Sequence, residues 1–307
     1  MLRTVLRLSL TGVLLSSLAA HAQARELDTA FGEVDVPDSP ERIVTLYEGA
    51  LDASVAAGVT PIGAIATRGG NEVAAYMGEH IDTSLLEMVG VARETNIEAI
   101  LRLEPDLILA APQLPEEQYR LLSRIAPTVV PNTTGFSKEG WKDESRLFGQ
   151  ALGKEAEINE ALEAVEQRAA ELNERLSEAD VGGTAYIVRW MPAGPMIMSS
   201  ELFSTGVLAS TGLTVDDQGL VKEGSPHSDI LSLENLSLID GDWLFLATLN
   251  EEGQQALGAA KQSSAFTRLN VVQQGHVVPV NGQVWSSASG PLAAHTILDD
   301  IEKALLP

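Results

Sequence analysis

Arginine and aromatic side chains recur in this chain just beyond short apolar runs, where an α/β sheet exposes its loops. Tyr47 and Glu48 follow the run ending at Leu46, Arg68 follows the run that starts at Pro61, and Arg93 stands just before the segment opening at Ile97. Gln113 comes after the run Asp106 to Ala111, and Trp141 after the polar loop beyond Val130. In the second half Arg189 and Trp190 end the run from Thr184, His227 precedes the segment at Leu233, and Trp285 follows the run ending at Val280. Ligand sites in open α/β sheets form at such strand ends. A guanidinium is a planar fork suited to carboxylates and other oxyanions, while indole and phenol faces suit flat ligand surfaces. Three arginines gathered there would make a positive cleft inside an acidic body.

Each candidate has a plainer alternative. Arg68 and Arg93 could be members of surface ion pairs. Arg189 and Trp190 are neighbours in a strand and must point to opposite faces, so only one can face a cleft squarely, and Trp190 could equally be core. Trp243 lies within an apolar run and reads as core, whereas Trp141 and Trp285 fall on loop-like segments and are the better aromatic candidates.

Signatures of catalysis are missing. The chain has no G-x-S-x-G elbow, no phosphate-binding G-x-x-x-x-G-K-[ST], no H-E-x-x-H and no clear G-x-G-x-x-G after a strand, so an enzyme is not expected. Five scattered histidines, His21, His80, His227, His276 and His295, give no zinc-ligand spacing, and no metal site is expected. There is no cysteine, which excludes disulfides, a thiolate nucleophile, iron–sulfur clusters and a lipidated N-terminal cysteine. With 43 acidic against 20 basic residues, a formal charge of −23, the chain would repel phosphate backbones, and nucleic acid is not an expected partner. Its 307 residues, 45% hydrophobic, can nonetheless build the cores of one large or two ordinary domains.

The elements that must position these side chains begin after a leader. Arg3 and Arg7 form a positive n-region, Leu8 to Ala20 is an apolar stretch too short to span a membrane, and Ala20-His21-Ala22 offers a cleavage site. Residues 1–24 are therefore expected to be a cleaved signal peptide, whose loss takes the charge from −23 to −25. Strands then alternate with helices: strands over Phe31 to Pro37, Arg42 to Leu46, Pro61 to Ile65, Asp106 to Ala111 and Thr128 to Val130; helices around Leu51 to Ala56, at Ile97 to Leu103 and at Gln118 to Ile125. The spacing of Leu162, Val165, Ala169, Leu172 and Leu176 predicts one long helix, closed by Gly182-Gly183. A second α/β series follows, with strands at Thr184 to Trp190, Asp242 to Thr248 and His276 to Val280 and helices at Ser204 to Ser210, Leu233 to Ile239 and Leu292 to Leu305. The expected organisation is an N-terminal α/β lobe, 25–143, a connecting helix, 144–181, and a C-terminal α/β lobe, 182–307. An internal echo supports matched lobes. In I97-E-A-I-L-R-L-E-P-D106 and L233-E-N-L-S-L-I-D-G-D242, a glutamate opens a short helix and an aspartate eight residues later opens an apolar strand.

Taken together, F31-G-E-V-D-V-P37, P40-E-R-I-V-T-L46, A57-G-V-T-P-I-G63 and N96-I-E-A-I-L-R-L-E-P-D-L-I-L109 resemble the periplasmic substrate-binding proteins of iron-siderophore ABC importers, a group that includes vitamin B12 receptors. The second half is similar more loosely, through Ser199 to Gly212, S232-L-E-N-L236 and the closing helix. The resemblance implies two Rossmann-like lobes joined by one long helix, with a ferric siderophore held in the cleft between them and handed to an inner-membrane ABC permease with its ATPase. It implies no catalysis and no cofactor, since the iron travels within its ligand. It also implies that Glu98 and Glu234, which match the family's docking glutamates and are the pair aligned by the echo, meet arginine pockets of the permease; either could instead be a helix-end acid favoured by the helix dipole. Receptors for hydroxamates and citrate often carry an arginine two residues after the glycine matching Gly90; here Ala92 stands there and Arg93 is next to it. The expected protein is a freely diffusing periplasmic monomer, not a lipoprotein. The same fold carrying cobalamin, haem or a bare metal ion, and an exported α/β enzyme, are the alternatives.

Overall fold

The computed structural model describes residues 24–306 apart from 93 and 134, so the expected leader lies outside the described residues but for Ala24. A two-stranded antiparallel ribbon, β1 (Ala24–Thr29) and β2 (Gly32–Pro37), precedes the first lobe. That lobe is a six-stranded sheet in the order β6-β5-β4-β3-β7-β8, comprising β3 (Ile43–Leu46), β4 (Gly63–Ala66), β5 (Glu87–Val91), β6 (Glu94–Thr95), β7 (Leu107–Ala110) and β8 (Thr128–Val129). All pairs but β5–β6 are parallel. In β3, β4 and β7 every residue is buried, as expected where helices cover both faces of a parallel sheet. Helices α1 (Glu48–Ala56), α2 (Ile97–Arg102) and α3 (Glu116–Leu122) provide crossovers. Gly90 has φ +134° in the tight β5–β6 hairpin, and a Cβ there would strike the carbonyl oxygen of Glu94, so only glycine fits.

The second lobe repeats the plan with five strands: β9 (Thr184–Met191), β10 (Gly194–Ile197), β11 (Thr214–Val215), β12 (Trp243–Thr248) and β13 (Val277–Asn281). The order is β10-β9-β12-β13 with β11 also on β9, and all pairs but β9–β10 are parallel. Its strands alternate cleanly. Ala185 and Ile187 join the large core that runs on into the first lobe, whereas Tyr186, Val188 and Trp190 face a separate outer core. The outer core is covered by α7 (Glu251–Ala260), α8 (Ser264–Thr267) and α9 (Asn270–Gln273). The Leu233–Ile239 segment is a 3-10 helix rather than an α-helix.

Between the sheets lie α4 (Gly140–Leu152), α5 (Glu155–Glu178), α6 (Phe203–Ser210), α10 (Gly282–Ser286) and α11 (Pro291–Leu305). The stretch expected as one helix is two, because Gly153 takes the left-handed conformation at φ +68° and closes α4. The 24 residues of α5 run roughly 36 Å and bury the predicted stripe, Leu162, Val165, Ala169, Leu172 and Leu176, together with Ile158. Arg168 and Arg175 on α5 tie it to Glu302 on α11.

The echo has a structural counterpart. Asp106 accepts the backbone N–H groups of Glu41 and Arg42, at 2.8 and 2.9 Å, just before β3. Asp242 accepts the N–H of Thr184 at 2.7 Å, at the start of β9. In each lobe the aspartate entering one strand fastens the start of its parallel neighbour.

Candidate functional site

A cavity of about 230 Å³ opens between the lobes, lined from the first by Tyr47, Arg68, Gln113, Trp141 and Glu144 and from the second by Arg189, Phe203 and the Ser286–Ser289 loop. Tyr47 is the residue that caps α1, directly after β3. Arg68 follows β4 and Gln113 follows β7, as strand-end logic requires. Arg189 reaches the cavity because β9 alternation turns it to the same face as Ala185 and Ile187. Trp190 points the other way, into the outer core, edge-on to Phe266 at 6.1 Å. It does not line the cavity, which resolves the choice between the two neighbours.

The cavity is rich in unsatisfied donors. Arg189 is only 4% exposed, yet among the described residues its Nε has no hydrogen-bond partner, and the buried Ser287 hydroxyl likewise has none. Burial, then the nearby positive charge of Arg68, pulls the Arg189 guanidinium down to about 10, so it remains charged at neutral pH. Neither Arg68 nor Arg189 forms an ion pair among the described residues. Two cations without an ion pair and an idle hydroxyl around one void are costly to keep unless an anion joins them.

Glu48 does not line the cavity. Its carboxylate accepts from the Thr67 hydroxyl and from the Arg68 backbone N–H, at 3.2 Å for the latter, and so fixes the turn that carries Arg68. Burial raises its pKa. His227 also stays out; its Nδ1 lies 2.8 Å from the Ser228 carbonyl, beside a backbone bridge to Met198. Arg93 lies outside the described residues. Trp141 and Trp285 line the cavity, but not on loops: both are helical and buried. Trp141 sits on α4, edge-on to Phe203 at 5.2 Å. Trp285, on α10, stacks on Phe245 at 4.9 Å and donates its Nε1–H to Asp300 at 2.8 Å, so it forms floor rather than a free platform.

Several lining residues had no part in the sequence reading. Glu144 sits inside an amphipathic helix and is indistinguishable there from its exposed neighbours. The run S286-S-A-S-G290 directly after Trp285 was a readable signal, because small hydroxyl residues beyond a strand end suit ligand contact. Phe136, 39% exposed at the cavity, stood within a polar loop.

Glu98 and Glu234 are both exposed, the first in α2 behind the Asn96 cap and the second in the 3-10 helix. They contribute nothing to the cavity lining.

Comparison with known proteins agrees with this architecture. Bacillus subtilis (strain 168) has the probable siderophore-binding lipoprotein YfiY, 28% identical over 95% of this chain and 90% of the relative. The Fe(3+) dicitrate-binding periplasmic protein FecB of Escherichia coli (strain K12) is 26% identical over 97% of this chain and 95% of its own. The crystal structure of Staphylococcus aureus SirA complexed with staphyloferrin B superposes with a TM-score of 0.78, at 26% identity over 92% of this chain and 98% of that one. Relatives thus include both a lipoprotein and a periplasmic protein. The family model described as periplasmic binding protein matches residues 43–283, and the chain, with its two α/β lobes and cleft between them, belongs to that family.

Proposed function

We propose that this protein captures an anionic ferric siderophore in the interlobe cleft and delivers it, unchanged, to an inner-membrane ABC permease with its ATPase. The observation that carries the reading is the convergence of Arg68 and Arg189, one from each lobe, on a cavity in which neither forms an ion pair among the described residues. YfiY is described as a probable siderophore-binding lipoprotein, FecB as Fe(3+) dicitrate-binding and SirA as complexed with staphyloferrin B, which supports the same cargo class here. In this reading the iron is held by the siderophore's own oxygens; among the described residues no three His, Cys, Asp or Glu side chains gather as a metal site. Tyr47, Trp141 and the Ser286–Ser289 loop form the walls, and Gln113 stands at the rim.

In this reading Glu98 and Glu234, one exposed on each lobe, meet basic pockets of the permease. The Arg3, Arg7 and Ala20-His21-Ala22 pattern supports export with cleavage of the leader. This reading also has a freely diffusing monomer; the sequence has no cysteine to carry a lipid, whereas YfiY is described as a lipoprotein. Quenching of tryptophan fluorescence, titrated against ferric citrate, hydroxamate and catecholate complexes, tests the cargo. Silence with all three alongside tight binding of a corrinoid or haem would overturn the siderophore assignment and leave the receptor class standing.

A further inference from the structure

Glu144 reaches from α4 into the cavity and is 8% exposed. The Tyr47 hydroxyl donates to its Oε2 at 3.1 Å. No Lys, Arg or His forms an ion pair with it among the described residues. Arg68 and Arg189 line the same cavity but form no ion pair with it among the described residues, and the charges on the elements packed around it do not compensate it. On its own helix the nearby charge is Asp143, of like sign, and Lys142 is engaged by Glu139 and by Glu166 of α5 at 2.6 and 2.8 Å. From α1 come Tyr47 and Glu48, and Glu48 is itself acidic and turned to Thr67 and Arg68. Arg25 of β1 is taken by the carbonyls of Pro37 and Ala151 and lies 3.8 Å from Asp38. At the second lobe Lys138 is 3.5 Å from Glu201.

Glu201 also lines the cavity but is paired with Lys138, whereas Glu144, a carboxyl without a cationic partner in a cavity built for an anion, has two ways to tolerate cargo: meet a cationic group on it, or be neutral. A ferric siderophore turns oxygen atoms outward, so the rest of this wall meets it with donors, Arg189 and Ser287 among them. Burial disfavours the charged form of Glu144 and raises it to about 7, within reach of ambient pH. Resting on the siderophore reading, we propose that Glu144 enters the complex as the neutral acid and donates its O–H to a ligand oxygen, so that capture takes up one proton from solution. The balance is simple: carboxylate, proton and ferric complex give a carboxyl hydrogen-bonded to the complex, with no other bond changed. Glu144 thereby selects cargo that presents an acceptor at this wall and disfavours it as the pH rises.

Two measurements on the whole protein test this. In ligand-free potentiometric titration, wild type minus Glu144→Gln should show one extra proton released near pH 7; release below pH 5.5 overturns the assignment whatever binds. In binding titrations with ferric citrate between pH 6 and 8.5, wild-type affinity should fall about tenfold per pH unit above 7 relative to Glu144→Gln, which keeps an N–H donor. Equal pH profiles for the two proteins would overturn it. Tyr47→Phe, which removes the hydroxyl that favours the anion, should move the wild-type midpoint upward, and an unmoved midpoint counts against the proposal. No binding of ferric citrate, hydroxamate or catecholate complexes at any pH, with the proton still released near 7, overturns the siderophore reading and with it the role given to that proton.

Discussion

The carboxylate of Asp52, on α1 in the first lobe, accepts the backbone N–H of Ala293 at 2.8 Å, in the first turn of α11. It also accepts the N–H of Leu292 at 2.9 Å and the Tyr76 hydroxyl at 2.9 Å, with no exposed surface of its own. Gly290 makes the approach possible: its φ is +123° and a Cβ there would strike this carboxylate. Because α11 follows the Ser286–Ser289 loop, Asp52 also holds that wall of the cleft in place.

Burial outweighs these three hydrogen bonds and raises Asp52 to about 7 from 3.8. Between those values the folded state keeps a proton that the unfolded chain has released, so this group's contribution is complete below pH 3.8 and lost as the pH rises through 7. Asp52→Asn cannot titrate. Its stability relative to wild type should therefore improve between pH 5 and pH 8, by an amount on the order of a few kcal/mol, in urea unfolding. Parallel pH curves for the two proteins would refute the assignment.

Arg189 illustrates stability given up for binding. Its buried, partly unpaired guanidinium faces the like charge of Arg68, so Arg189→Met should raise the unfolding free energy by about 1–2 kcal/mol. The same change should weaken ferric citrate binding by about tenfold or more. Calorimetric melting and fluorescence titration read the two effects. A variant that binds normally would remove the arginine from the site.

The exposed pair at the lobe surfaces predicts a different dissociation of effects. Glu98→Ala with Glu234→Ala should change stability by less than about 0.5 kcal/mol and leave ligand affinity intact, while abolishing uptake in reconstituted transport. Normal uptake by the double variant would reduce the two glutamates to helix-end acids.

Asp106 and Asp242 should be interchangeable in their cost. Asp106 satisfies two backbone N–H groups and Asp242 one, each at the start of a neighbouring strand, so Asp106→Ala and Asp242→Ala are each expected to lose about 1–3 kcal/mol in urea unfolding. A loss at one site alone would break the equivalence of the lobes.

That equivalence was readable because it depends on local grammar: an acid, a turn residue and an apolar strand recur at fixed spacing. Strand-end logic likewise placed Tyr47, Arg68, Gln113 and Arg189 at the cleft, since alternating strands and helices dictate where loops emerge. It went astray where packing between distant elements decides. Trp190 and Arg189 could not be separated until the helices α7 to α9 covered one face of β9. The sequence puts Trp285 on a loop because its partners, Phe245 and Asp300, lie on two other elements. Glu48 has the right position but spends its carboxylate on the neighbouring turn. The short antiparallel partners β6 and β10 have too few residues to show a period at all.

The break at Gly153 divides the expected spine into two levers. The first, α4, packs on α1 and carries Trp141 and Glu144 into the cleft; the second, α5, is bolted to α11 by Arg168 and Arg175. The bend at Gly153 thus lets α4 pack against α5 instead of extending it, so the wall of the cleft and the long rod are separate packing units.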